Sequence, residues 1–367
     1  MIRIATFNLE NLFTRPSAMS FESDATGREA IEHHAIANNI IAKVAYTDAD
    51  RVKLLELSAI YGWHRKTPPA SALILLQKLR GQLFRDPVHG PVEVVANGRA
   101  DWVGWFELRR EEVAWQATRN TGRVIDEVGP DIMIAVEVDD RPTLVRFNEQ
   151  VLKAGFQRDY PHLMVIDGND QRGIDLGILS RFPIEVMRSH VDDPSPAGGT
   201  LFSRDCPEYD IRLPNGDLIV VIPNHFKSKR SGNDQTSQER RKAQAHGAHA
   251  AAVAALARTP HVIVGGDLND TPDSLPLVDM FKDDFRDVIS HPTYPTDRPG
   301  TYETGLATQK LDYLILSPAL FPLLDRTGIE RRGSYHPHTW DAFDTVTSSV
   351  DEASDHHMVW ADLNIGP

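Results

Sequence analysis

The amino-acid sequence predicts a mixed α/β or α+β fold. Three observations predict it: short apolar runs recur and stop at polar residues, helical patterns fall between some of them, and hairpin-length connections mix with long crossovers. The runs, at residues 4–7, 132–136, 176–179, 218–222, 262–264, 314–316 and 358–361, are mostly aliphatic and too short for helices, so they read as buried strands.

The first ten residues alternate as a strand does and reach polar side chains too early to contain the apolar centre of a signal peptide, which predicts a cytoplasmic chain. Residues 14–110 differ in texture. Helices are expected over 30–46 and 51–61, and a third over 71–84, where Leu73, Leu76, Leu79 and Leu83 fall on one helical face. Strands are expected over 92–96 and 102–108, within a Pro- and Gly-punctuated stretch. We read 14–110 as a mostly helical subdomain inserted into a single domain spanning 1–367, and as a cap or oligomer contact. Residues 111–128 repeat apolar side chains at Val113, Ala117, Val124 and Val128 and stop at Gly129-Pro130; residues 237–257 begin charged and continue in alanine. Both are predicted helices.

Composition excludes several classes. With 367 residues and 41% hydrophobic content the chain can bury a core of its own, and no apolar run approaches the ~18 residues of a membrane span. Cys206 is the single cysteine, which excludes an intrachain disulfide and multi-cysteine zinc sites. A net charge of −13 argues against broad electrostatic adhesion to nucleic acid, though a local basic groove remains compatible with it.

The informative feature is where polar residues sit. Asn8 and Glu10 follow the first strand, Glu137 follows the second, and Asn224-His225 ends the run at 218–222. Asp267 and Asn269 follow Val262-Ile263-Val264-Gly265-Gly266, Asp312 opens the run at 314–316, and Asp355-His356 precedes the last strand. Singly, a carboxylate after a strand usually caps a turn. His33, His34, His64, His246, His249, His336, His338 and His357 are read as satisfied or exposed histidines. Together, groups at one set of strand ends can converge on one pocket, as ligands of layered α/β folds do.

Hard oxygen ligands without a cysteine cluster favour Mg2+ or Mn2+ over structural zinc, and Glu10, Glu137 and Asp355 suit that role. Phosphate hydrolysis needs an aligned water, a way to remove its proton, and compensation for phosphoryl charge. Asp312 could orient His356, as a carboxylate fixes an imidazole tautomer in other hydrolases.

The strings Ala5-Thr6-Phe7-Asn8-Leu9-Glu10-Asn11, Ile134-Ala135-Val136-Glu137-Val138, Gly173-Ile174-Asp175-Leu176-Gly177-Ile178-Leu179-Ser180-Arg181, Asn224-His225-Phe226-Lys227-Ser228-Lys229, Gly266-Asp267-Leu268-Asn269, Leu311-Asp312-Tyr313 and Ser354-Asp355-His356 occur in this order. In that order they resemble the endonuclease/exonuclease/phosphatase superfamily, the DNase I-like fold, and the resemblance spans both chain ends. It implies a four-layer α/β sandwich of two packed mixed β-sheets flanked by helices.

Carried over residue by residue, the resemblance implies that Asn8 places phosphate or the metal shell, Glu10 lies at or near the metal, Glu137 is its principal ligand and Asp355 touches its shell. It implies that Asp267 orients or deprotonates the attacking water and that Asn269 contacts phosphate. His356, held by Asp312, would meet the scissile phosphate, and His225 would assist the leaving oxygen or the transition-state charge; which of Asp267 and His356 is the base stays open. The His225 string followed by Glu239-Arg240-Arg241-Lys242 is similar to bacterial nucleases of the superfamily, with Lys227, Arg240 and Arg241 as candidate substrate cations.

These implications make the expected activity that of a divalent-metal-dependent phosphodiester hydrolase acting on DNA or RNA. The alternative is the same chemistry on a small or lipid phosphoester such as a phosphoinositide, a sphingomyelin-like lipid or a nucleotide derivative. A turnover-free binding protein is a third reading, disfavoured because every expected polar position is present. The stretch between Asn8 and Glu137 is far longer than the superfamily usually places there, which would restrict substrate size. Tyr335, Trp340 and Phe343, before Asp355, are read as loop packing rather than base stacking.

Overall fold

The computed structural model describes residues 1–12, 24–88, 90–109, 115–170, 173–229, 235–295 and 298–365. Contacts divide the chain into two compact units, Met1–Phe13 with Val113–Pro367, and Thr14–Glu112. Strand β1 (Ile2–Leu12) opens the first unit.

The Thr14–Glu112 unit holds α1 (Asp24–Ile41), α2 (Asp48–Tyr61) and the short strands β2 (Ile74–Arg80), β3 (Phe84–Arg85), β4 (Glu93–Val94) and β5 (Val103–Leu108). Its own core gathers Leu54, Leu57, Trp63, Trp102 and Phe106. Helix α2 starts where Thr47 and Asp50 satisfy each other's backbone N–H groups in a capping box.

The helix expected over 71–84 is instead β2, paired antiparallel with β5. The four leucines do not share a buried face, since Leu83 is buried and Leu79 is 72% exposed. Pro68-Pro69 precede the segment. Gly81 follows it at φ +74°, where a side chain would also run into the Asp101 carbonyl, so the chain must turn there.

The larger unit continues with α3 (Trp115–Val128), β6 (Ile132–Val138), α4 (Arg141–Phe147), α5 (Ala154–Phe156), β7 (His162–Ile166), β8 (Asp175–Ser180) and β9 (Ile184–Arg188). It ends with β10 (Glu208–Arg212), β11 (Leu218–His225), α6 (Gln235–Ala255), β12 (Val262–Asp267), β13 (Arg286–Asp287), β14 (Asp312–Leu316), β15 (Leu324–Glu330) and β16 (Met358–Leu363). All seven predicted strands and both predicted helices of this unit are present; Val113 lies outside the described residues.

Two six-stranded sheets form, in the orders β15-β16-β1-β6-β8-β7 and β13-β14-β12-β11-β10-β9. Each is antiparallel except for one central parallel pair, β1 with β6 and β11 with β12. A parallel pair needs a crossover, and α6 provides the second. Between the sheets lies one apolar layer, built of Ile4, Ile134 and Ile178 from the first sheet and Ile219, Ile263 and Leu314 from the second. The outer face of the first sheet packs under α3 and α4, and that of the second under α6. The larger unit is thus a four-layer α/β sandwich. Gly265 lets the layers close, because a Cβ there would sit 2.7 Å from Ile134 Cδ1. Among the described residues no helix is long and apolar enough to cross a membrane.

A charged cluster pins the end of β9 to β10. His190 lies 2.8 Å from Asp193 and 3.0 Å from Glu208, whose hydrogen bond lifts its pKa to about 9. An imidazole raised on folding contributes stability fully below its unfolded pKa near 6.5 and loses it as pH rises through about 9. Melting temperatures should therefore fall more for the wild type than for His190→Gln across that window. Parallel pH profiles would contradict this.

Candidate active site

Strand alternation sets the site. Along β1 the side chains of Ile2 and Ile4 enter the inter-sheet layer, and Thr6 and Asn8 continue that face, buried. By the same period, His225 continues the inner face of Ile219 and Val221, Asp267 that of Ile263, and Asp312 that of Leu314 and Leu316. Register then lines up the second sheet, with His225 opposite Asp267 and Asp267 opposite Asp312. The aliphatic layer so ends in a polar row where both parallel pairs finish.

The row crosses between the sheets. Asn8 Nδ2 donates to Asp267 Oδ2 at 3.4 Å, and Asn269 gives the same oxygen its Nδ2–H at 3.0 Å and Asp267 Oδ1 its backbone N–H at 2.9 Å. His225 Nε2 stands 3.5 Å from Asp267 Oδ2 and 3.9 Å from Glu137 Oε1. On the other side His356 Nδ1 donates to Asp312 Oδ2 at 2.8 Å, and its Nε2 is 3.9 Å from Asp355 Oδ1. Asp355 N donates to Glu10 Oε2 at 2.8 Å, which closes the ring of contacts.

Local backbone distortion aims three of these groups. The β1–β6 register shifts between Asn8 and Leu12, and the β6–β8 register between Val136 and Val138. Glu10 and Glu137 sit inside those irregularities at φ +38° and +63°, and Asn269 turns out of β12 at φ +55°. Asparagine tolerates this region, whereas each glutamate costs on the order of 1–3 kcal/mol there. A bulge re-aims a side chain at a strand end, and here it points carboxylates toward the row.

The electrostatics follow from crowded acids. Burial, then the neighbouring Asp355, raises the Glu10 carboxyl to about 7. Burial, then Asp312, raises Asp267 to about 7. For His356 burial opposes the charge, but Asp312, Asp355 and Asp267 outweigh it and hold the imidazole well above its ordinary range. Asp312 Oδ1 is buried without a hydrogen-bond partner among the described residues.

This donor set fits a hard divalent cation. Asp267, Asp312 and His356 each place one ligand-type atom within 4.8 Å of the others. However, Asp312 Oδ2 is already committed to His356. Glu137 and Asp355 retain about a fifth of their side-chain exposure, against 3% or less for Asp267 and Asp312. Mg2+ keeps several waters and takes only one or two protein carboxylates, which favours the more open Glu137 and Asp355 over the enclosed trio.

The sequence-predicted residues Asn8, Glu10, Glu137, His225, Asp267, Asn269, Asp312, Asp355 and His356 are therefore joined by contacts into one cluster. Of the predicted substrate cations, Arg241 is turned away from it. Arg241 is fully buried, with its Nε donating to Asp270 at 3.0 Å and Nη1 to the Lys227 carbonyl at 3.1 Å, so it braces the loop after β11 instead of meeting phosphate. Lys227 donates its backbone N–H to the Gln244 side chain at 2.9 Å, and Arg240 lies exposed near the Thr200 carbonyl. Phe343 is buried beneath Arg123 and Arg332, as loop packing requires. His357 is buried too, held by the Glu303 carbonyl and Ser334, with burial pushing its pKa well down.

Sequence reasoning missed the supports. Ser354 Oγ donates to the Asn8 carbonyl at 2.8 Å and accepts the His356 N–H at 3.0 Å. Buried Lys310 bonds the Asp312 carbonyl and lies 3.2 Å from Asp287. The signal for Ser354 was present in the Ser-Asp-His string; for Lys310 there was none.

The endonuclease/exonuclease/phosphatase family model matches residues 112–356, well over half of the sequence. The chain belongs to that family. Asn8 and Glu10 lie outside the matched span, yet β1 pairs with β6 and brings them to its motifs. The activities in the family's name all cleave phosphoesters, typically with a divalent metal, so the protein is a phosphoesterase in this general sense. No curated protein matches the sequence. Among solved structures the chain is similar to an endonuclease/exonuclease/phosphatase from Beutenbergia cavernae, with 19% identity over 68% of this chain and 66% of that chain and a TM-score of 0.49. It is also similar to a mannosyl-6-phosphatase from Bacteroides thetaiotaomicron (15%, 68% and 90%, 0.49) and to the human Nocturnin catalytic domain with bound sulfate (14%, 69% and 87%, 0.47).

A cation must displace protons from acids that hold them near neutrality. Calorimetric titration of the metal-free protein with Mn2+ should release protons at pH 6, where Glu10 and Asp267 are still largely protonated, and release far fewer at pH 8. Equal, negligible release at both values would contradict the crowded-acid reading.

Proposed function

We propose that the protein is a divalent-metal-dependent phosphodiester hydrolase acting on nucleic acid, in which Glu10, Glu137 and Asp355 hold Mg2+ or Mn2+. The observation that carries this reading is the pair of imidazoles flanking Asp267: His225 at 3.5 Å on one side, and His356, locked to Asp312, on the other. A diester differs from an anhydride or aryl ester in expelling a poor alkoxide, so a proton donor near the leaving oxygen matters as much as a base near the water.

Asp267, lifted to about 7, is poised to take the proton of an attacking water at neutral pH. His356, kept cationic by its acidic neighbours, donates hydrogen bonds to phosphoryl oxygens instead of acting as the base. Asn8 and Asn269 hold Asp267 in place; Asn269 spends both amide hydrogens on Asp267 and the Phe226 carbonyl, Asn8 has a second one to offer phosphate, and His225 stands where it can protonate the leaving oxygen. The bound cation supplies Lewis-acid neutralisation of the phosphoryl charge.

One observation favours a second reading, the same chemistry on a small phosphoester. Asp270 engages both Arg241, one of the candidate substrate cations, and nearby Lys229, at 3.0 and 2.5 Å, which reduces the cationic surface open to a nucleic-acid backbone on a chain of net charge −13. Assays on plasmid, single-stranded oligonucleotides, bis(p-nitrophenyl) phosphate and small phosphomonoesters with Mg2+ or Mn2+ separate the two. Nucleic-acid cleavage that falls about 10²- to 10⁴-fold in His356→Ala is expected. Cleavage retained in that variant would overturn the assignment, and turnover confined to small esters would select the second reading.

A further inference from the structure

Thr301 connects the two segments that carry the His356–Asp312 pair. It is fully buried, and its Oγ accepts two backbone N–H groups, from Leu311 at 3.0 Å and from Asp312 at 2.8 Å. Its carbonyl accepts the N–H of His357 at 2.7 Å, and its own N–H donates to the Gln309 carbonyl at 2.9 Å. One residue thus holds the first peptide of β14, from which the Asp312 carboxylate projects, and the peptide that follows His356. Its neighbours extend the grip. Tyr302 bridges His356 in antiparallel register with the rings 4.9 Å apart, and Glu303 N donates to the Asp355 carbonyl at 2.9 Å.

We propose that Thr301 is a positioning residue for the hydrolysis, its hydroxyl setting the Asp312 carboxylate against His356 Nδ1 and thereby the direction in which His356 Nε2 faces the substrate. The proposal rests on the phosphoesterase reading of the same site. The hydroxyl, not its bulk, is the operative group. Valine has the same shape but would turn a methyl toward both N–H groups and strip the buried Asp312 N–H of its acceptor, so the 309–312 turn must shift to satisfy it. A shift there moves Asp312 directly, because that N–H is its own. Serine keeps the acceptor and loses only a methyl.

The test compares Thr301→Val, Thr301→Ser, Asp312→Asn and the double variant Thr301→Val/Asp312→Asn in steady-state kinetics with Mn2+, alongside thermal melts. The His356 Nδ1–H proton is followed by NMR in metal-free protein. Thr301→Val should lower kcat about 10- to 100-fold, as loss of a group that orients a functional side chain commonly does, with KM little changed. Thr301→Ser should retain wild-type kcat. In the Asp312→Asn background the valine should add no further loss, because its effect passes through that carboxylate. The Nδ1–H resonance should move or vanish in Thr301→Val and stay in Thr301→Ser. Should the valine variant not fold, Thr301→Ala, which removes the same oxygen, takes its place. A folded variant lacking the hydroxyl with wild-type kcat and an unmoved resonance, equal losses in Ser and Val, or additive losses in the double variant would each overturn the proposal. A wild type inactive on every phosphoester, but with the resonance lost in Thr301→Val, would remove the hydrolytic reading and leave the positioning role standing.

Discussion

The site depends on the contact between the inner faces of two sheets. Asn8 belongs to one sheet and Asp267 to the other, and their side chains meet only because the aliphatic layer behind them holds the sheets at packing distance. Every other functional contact is arranged around that joint. His225 and Asp312 flank Asp267 by register within the second sheet, whereas Glu137 and Glu10 come from the central strands of the first. A change that spreads the sheets near Gly265, where there is no room for a Cβ, would separate the halves without touching a functional group.

The arrangement is held against its own electrostatics. Several carboxylates share a partly enclosed volume, two of them are driven to about 7, and two glutamates sit in left-handed backbone. Such crowding and strain persist only where the surrounding structure over-determines them. Here the surroundings are the strand ladders, Ser354 spanning Asn8 and His356, and buried Lys310 at the start of β14. A divalent cation bound among these acids would relieve the like-charge repulsion between them.

Much of this was legible in the sequence for a simple reason. Strand positions announce themselves through short aliphatic runs, and the polar residue that ends each run is where a layered fold places its ligands, so Asn8, Glu137, His225, Asp267 and His356 could be named from chain order alone. What was not legible depends on contacts distant in sequence. Leu73, Leu76, Leu79 and Leu83 satisfy a helical period, but tertiary pairing with β5 and the turn at Gly81 make the segment a strand. Arg241 reads as a surface cation until Asp270 is found beside it. Thr301 and Lys310 act on Asp312 through backbone groups, which leave no trace in residue spacing.

The measurement that bears most directly on the account is anomalous diffraction from crystals soaked in Mn2+. The account predicts a peak bonded to carboxylate oxygens of Glu10, Glu137 and Asp355. A peak enclosed by Asp267, Asp312 and His356 with those three carboxylates unengaged, or no peak at either group at saturating Mn2+, would contradict it.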